Sequence, residues 1–194
     1  GSADSDTSPT DAWQLAVTCD DSAESVYAAS IASVDATVPL GTVMACHKDA
    51  LLAAETIAEA AVEQGVVTTT AIQPYRIAYV TERSAGVRGL GTARVLVPEP
   101  LPEAPVHGVV VTHGTAGLFD DCAPSKQLDL AEPFVPGMAL PFAGNDMVVV
   151  APDYAGLGNE GTQGYGDSLD TTHSALDALR ATQGLFSAGT LTDS

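Results

Sequence analysis

The sequence predicts an α/β domain whose sheet is covered on both faces. Two observations carry this expectation. Gly108–Thr112 (GVVVT) and Asp146–Ala151 (DMVVVA) are short apolar runs without polar alternation. A strand hidden on both faces has that pattern, because neither side meets water. Each run ends in a glycine-containing loop, and segments of helical spacing lie on either side of the strand region, the element order of an α/β architecture.

The elements follow in chain order. Residues 1–12 are polar and small and read as a disordered tail. Residues 13–65 read as a helical segment. Within it, 22–34 and 46–64 are alanine-rich, and Leu51, Leu52, Ile57 and Val62 share one broad stripe. Gly65 is placed to stop the second helix. The period then changes. Tyr75–Thr81 and Thr92–Val97 read as two strands of a hairpin, with Gly86, Gly89 and Gly91 in the connection and a proline-rich run, 98–105, as its end. The buried strand 108–112 leads into His113-Gly114-Thr115-Ala116-Gly117. Residues 123–145 hold one short helix and loops. The strand 146–151 leads into Asp153-Tyr154-Ala155-Gly156-Leu157-Gly158, whose glycines mark a tight backbone path and whose Asp153 reads as a turn or helix cap. Residues 170–184 read as a helix capped by Asp170 or Thr171, with Ala175, Leu176 and Leu179 on one side and Gly184 at its end. The last ten residues read as loop.

Composition narrows the functions. There are 7 basic residues against 25 acidic ones, a net charge of -18. A basic nucleic-acid footprint is absent, and phosphate backbones are repelled. No run of about 18 apolar residues exists to cross a membrane as a helix. Three cysteines occur, Cys19, Cys46 and Cys122, without C-x-x-C spacing, so no zinc site and no cofactor are expected. Cys19 and Cys46 are the closest pair and a candidate disulfide in an exported protein. Three reduced, buried thiols are the alternative.

In open α/β sheets ligands bind beyond the carboxyl ends of the strands. The loop 113–117 sits at such an end. Its small residues leave backbone N–H groups open to a ligand, which suits an oxyanion as well as it suits a plain tight turn.

At this point the residues resemble a family. VVVTHGTAGLFDDCAPS (109–125) is similar to the strand and oxyanion loop of the secretory lipase family, the lipase-A-like branch of the α/β-hydrolase superfamily. The run Cys122-Ala123-Pro124-Ser125 shortly after His113-Gly114-Thr115 resembles its bacterial members. VVVAPDYAGLG (148–158) resembles the family's fourth strand and following loop, and Tyr165 with THSALDALRAT (172–182) its next helix. Tyr75–Tyr79 and Ala93–Pro98 are similar to its first two strands. The resemblance covers about residues 72–185.

The resemblance implies a carboxylic-ester hydrolase with a Ser-Asp-His triad, acting on an ester or lipid, secreted or periplasmic. It implies that Thr115 supplies an oxyanion-hole N–H, with its hydroxyl assisting, and that His113 shapes the loop rather than acting as base. The nucleophile belongs in G-x-S-x-G after the next strand, followed by the acid and then the histidine. No G-x-S-x-G occurs in the chain. The expectation is therefore the N-terminal half of an α/β-hydrolase fold, residues 66–194, with strands one to four. The triad would lie in a C-terminal fragment or second chain, to which Cys122 could be bonded. A non-catalytic binding module and an acyltransferase of the same fold are the alternatives.

Ser168 is the remaining candidate nucleophile, because GYGDSLD contains the letters of the G-D-S-L esterases. Its context argues against it. The preceding GNEGTQGYG cannot form the buried strand that holds a nucleophile rigidly. A serine just before a helix is a common capping residue. His47, His107 and His173 read as structural, since none has an evident orienting partner.

Overall fold

The computed structural model describes residues 15–62, 65–102, 105–127, 135–186 and 191–192. The expected tail, 1–12, lies outside them. A mixed six-stranded sheet runs in the order β1-β2-β3-β5-β4-β6. The strands are β1 (Val43–Lys48), β2 (Ala71–Glu82), β3 (Arg88–Glu99), β4 (Val106–Val110), β5 (Val148–Pro152) and β6 (Leu191–Thr192). The helices are α1 (Ala23–Tyr27), α2 (Ala54–Val62), α3 (Val135–Ala143) and α4 (Ser168–Gly184). Strands β1, β2, β3 and β5 pair antiparallel in turn. β4 pairs parallel with β5 and with β6.

The sheet is covered on both faces, as the apolar runs predict. Tyr75, Ile77 and Tyr79 of β2, Val95 of β3, and Val148 and Val150 of β5 pack with Ala178, Ala181 and Leu185 on one side. Ile72, Leu96 and Val149 face the other way and pack with Ile57 of α2 and with Ala139, Leu140 and Ala143 of α3. The two-residue period of a strand divides β5 between the two cores. β4 is covered less: Gly108, Val109 and Val110 are only half-buried.

Several expectations are corrected. The helix over 46–64 is α2 alone, and the residues before it form strand β1. Lys48 lies opposite Tyr75 and Cys46 opposite Ile77. β2 is twelve residues long, and a neighbour that satisfies its open edge outweighs the local helical preference of an alanine-rich run. The stripe of four apolar residues does not form. Ile57 is buried, but Leu51 and Val62 are exposed and Leu52 bridges to Ile72 instead. Residues 22–34 break into α1 and a 3-10 turn at Ile31–Ser33, each started by a serine, Ser22 and Ser30, that accepts a backbone N–H. Gly65 does close α2, with φ 69°.

The hairpin strands are longer than expected, and Gly89 and Gly91 lie inside β3. A side chain at Gly91 would meet the Tyr79 ring at 2.6 Å, so glycine there makes room for a buried tyrosine. The helix α4 begins at Ser168, and its cap is Asp167, whose carboxylate accepts from Leu169 N and Asp170 N. Leu176 is exposed, and the buried face carries Ser174, Asp177, Ala178, Ala181 and Thr182. The C-terminal ten residues are not all loop: Leu191 lies opposite Val106 and Thr192 opposite His107 in β6. The sheet thus has strands beyond the expected four at both edges.

Cys19 and Cys46 form a disulfide. It fastens the segment before α1 to β1, where Asp21 Oδ2 also accepts from Cys46 N at 2.8 Å. Replacing both cysteines by serine is expected to lower the unfolding free energy by about 3–4 kcal/mol, because the bridge closes a loop between residues 27 apart. Urea unfolding of the two forms checks this, and an unchanged midpoint would show that the bridge adds no stability.

Candidate functional site

The loops that follow β4 and β5 meet at the carboxyl end of the sheet, and the site is built from them. Asp153 follows β5 directly and has no solvent exposure. Its backbone N–H donates to Thr92 O of β3 at 2.8 Å. Its carboxylate accepts from Thr92 Oγ1 at 2.7 Å, from Ser125 N at 2.7 Å, and from Ser125 Oγ. Burial pushes this carboxyl above its ordinary value, against the lowering effect of the Ser125 and Thr92 hydrogen bonds.

Tyr154 comes next in a left-handed conformation, φ 72°. That region is unusual for a residue with a Cβ. The turn throws its ring against His113, with the ring centroids 4.3 Å apart and stacked. Its hydroxyl donates to His113 O at 2.7 Å. Both ring nitrogens of His113 face carbonyl oxygens, Nδ1 at 2.7 Å from Gly114 O and Nε2 at 3.2 Å from Asp153 O. The loop after β5 therefore holds the loop after β4 at His113, from both its ring and its carbonyl. A base needs a nitrogen directed at substrate, and both His113 ring nitrogens face backbone carbonyls here.

Beyond His113 the loop is open. Gly114, Thr115 and Ala116 are exposed. Among the described residues, no acceptor takes their backbone N–H groups. Thr115 Oγ1 lies 3.0 Å from the hydroxyl of Tyr165. Gly117 has φ 134°, and a Cβ there would meet Cys122 Sγ at 2.4 Å. The half-buried free thiol of Cys122 thus packs under the loop, where only glycine fits. Unpartnered N–H groups at the end of a parallel strand can stabilise a developing negative charge with no reorganisation.

Two site residues went unseen as such in the sequence. Asp153 reads there as a turn or cap, and Ser125 as part of a family mark. Ser125 is joined on every polar atom: besides its bonds to Asp153, its hydroxyl lies 2.9 Å from Tyr27 Oη and its carbonyl accepts from Arg94. A hydroxylic residue between a proline and a lysine, in a stretch that reads as loop, gives no signal of burial.

Ser168 is the first residue of α4 and is exposed. Among the described residues no histidine bonds to it. His173 Nδ1 faces Glu82 O at 3.2 Å, and His47 Nδ1 faces Asp21 O at 2.6 Å, with Asp49 3.6 Å from its other nitrogen. His107 is exposed on β4. No serine–histidine pair is assembled among the described residues, and none of their His, Cys, Asp and Glu side chains cluster to hold a metal.

No protein-family model matches the chain, and no curated protein matches it in sequence. Solved structures do match it. A ligand-bound form of the rice cell wall degrading esterase LipA from Xanthomonas oryzae is 19% identical, with a TM-score of 0.61 over 75% of this chain and 38% of that one. A candidate hydrolase from Legionella pneumophila is 18% identical, with a TM-score of 0.60 over 74% and 39%. Candida antarctica lipase A in its closed state is 15% identical, with a TM-score of 0.51 over 76% and 32%. At these identities the likeness is one of fold. The chain has the mixed α/β sheet of lipase- and esterase-type hydrolases, and it spans about 38% of the length of the esterase chain it matches.

The buried carboxyl gives a pH-dependent prediction. A carboxyl whose folded value lies above its ordinary 3.8 keeps its proton longer in the folded state. Its contribution to stability is present in full below 3.8 and is lost as pH rises through the folded-state value. Asp153→Asn should cost roughly 2–3 kcal/mol, because with its oxygen kept on Ser125 N its amide nitrogen replaces the oxygen that accepts from the Thr92 and Ser125 hydroxyls. The gap in melting temperature from wild type should narrow as pH rises through that window. Melting curves across acid to neutral pH check it, and a gap that widens would contradict the protonation argument.

Proposed function

We propose that this chain is the N-terminal part of a secreted serine hydrolase that cleaves carboxylic esters, and that it supplies the oxyanion loop and part of the substrate pocket. The observation that carries the reading is the open Thr115 amide in the loop after β4, exposed and without an acceptor among the described residues. The nucleophilic serine, the acid and the histidine then belong to sequence beyond Ser194. The register of β6 on β4 supports this. Val106 lies opposite Leu191 and His107 opposite Thr192 in a parallel pair, so β6 runs in the same direction as β4, toward the end from which the 113–117 loop leaves. The half-covered β4 and the exposed Leu169 and Leu176 of α4 supply apolar surface for such a partner segment. The Cys19–Cys46 disulfide supports export to an oxidising compartment.

In the proposed reaction the histidine takes the serine's proton as the serine oxygen adds to the ester carbonyl carbon, and the carbonyl electron pair moves onto its oxygen. Thr115 N–H holds that oxyanion. Collapse of the intermediate breaks the bond to the alcohol, which leaves with a proton from the histidine. Water then hydrolyses the acyl-enzyme by the same steps. Lipids and other esters are the substrate class, and the likeness to lipase- and esterase-type structures favours hydrolysis.

The test uses the complete protein. A serine-directed fluorophosphonate should label it, and the labelled serine should lie in a G-x-S-x-G turn. Thr115→Pro removes the proposed donor and should lower kcat by roughly 10²–10³-fold, without loss of the fold. A protein that takes no label, or a proline variant with full activity, would overturn the reading.

A further inference from the structure

Tyr165 is a large aromatic residue with 61% of its surface exposed, so it is not held in place by the core. Its position is nevertheless fixed. Gly164 O accepts from Asp167 N at 2.9 Å, and Asp167 caps α4, so Tyr165 sits at the tip of a tight turn joined to a helix. A side chain at Gly164 would meet Asp170 Oδ2 at 2.2 Å, and that carboxylate is anchored by Arg83 Nε at 2.7 Å. Gly166 follows with φ 79°. The turn delivers the phenol hydroxyl to 3.0 Å from Thr115 Oγ1, fifty residues away in sequence.

We infer that Tyr165 is a positioning residue that makes the Thr115 side chain a second donor to the oxyanion. The inference rests on the oxyanion role proposed for Thr115. A phenol is a stronger acid than an aliphatic alcohol, so in this pair Tyr165 donates and Thr115 Oγ1 accepts. The hydroxyl hydrogen of Thr115 is then turned away from Tyr165. It becomes available beside the residue's own open N–H, so that one residue presents two donors. Without the phenol the threonine hydroxyl rotates freely and loses that preorganisation.

The experiment is a double-mutant cycle in the complete protein with a short-chain activated ester. Tyr165→Phe removes only the phenol oxygen of an exposed side chain, and Thr115→Val removes the hydroxyl but keeps the N–H. Each should lower kcat by about tenfold with KM unchanged. The double variant should be no slower than Thr115→Val, because Tyr165 acts only through that hydroxyl. Equal kcat for Tyr165→Phe and wild type would overturn the inference, as would two effects that multiply, or a change in KM alone. Thr115→Pro measured alongside separates the two levels. If proline abolishes turnover and Tyr165→Phe leaves it intact, only the positioning role falls. If the proline variant is fully active, the oxyanion reading falls and the positioning role with it.

Discussion

A carboxylate without solvent exposure, Asp153, is the constraint on which the arrangement of this domain depends. Burying an ionisable group is costly unless its oxygens are satisfied. Here the donors come from β3 and from the turn at Ser125, and the Asp153 carbonyl faces the His113 ring. One residue at the end of β5 therefore fixes the relation of three otherwise separate segments. The 113–117 loop is placed by this junction and by the Tyr154–His113 stack, while the amides of Gly114, Thr115 and Ala116 stay open among the described residues. Rigid support below and free donors above are what preorganisation requires.

The same junction reaches into a buried ion cluster. Arg76 and Arg94 lie directly opposite each other on β2 and β3, where like charges repel. Asp49 stands between them, 2.7 Å from Arg94 Nη1 and 3.0 Å from Arg76 Nη2. Arg94 is wholly buried and also donates to the Ser125 carbonyl. Burial lowers the Arg94 value and Asp49 opposes that shift, so the cluster holds its charge by pairing. Asp49 comes from the loop after β1, and β1 is fastened by the Cys19–Cys46 bridge. The N-terminal segment, which reads in the sequence as helical, is thus a structural support for the turn at Ser125 and, through Asp153, for the 113–117 loop.

Much of the fold was legible because it depends on local pattern. Uninterrupted valine runs gave β4 and β5, and the double-sided cover followed from them. The disulfide was legible from cysteine spacing. What failed depended on long-range partners. Val43–Lys48 becomes a strand only because β2 offers it an edge, and Leu191–Thr192 only because β4 does. The buried face of α4 mixes alanines with polar residues, Asp177 accepting from Thr81 Oγ1 at 2.8 Å, so hydrophobic periodicity put the exposed Leu176 on it instead. At the site, Thr115 and its glycine neighbours were visible by their position after a strand. Asp153, Ser125 and the Tyr165 contact were not, because each gains meaning from a residue at least 28 positions away.

The central claim is that the open amide of Thr115 receives the oxygen of a tetrahedral intermediate. A crystal structure of the complete protein, inactivated by a phosphonate that mimics that intermediate, tests it most directly. The account predicts the phosphoryl oxygen at about 2.7–3.1 Å from Thr115 N, the separation such donors keep from an oxyanion. A phosphonate oxygen that points away from the 113–117 loop, held by other donors, would contradict it.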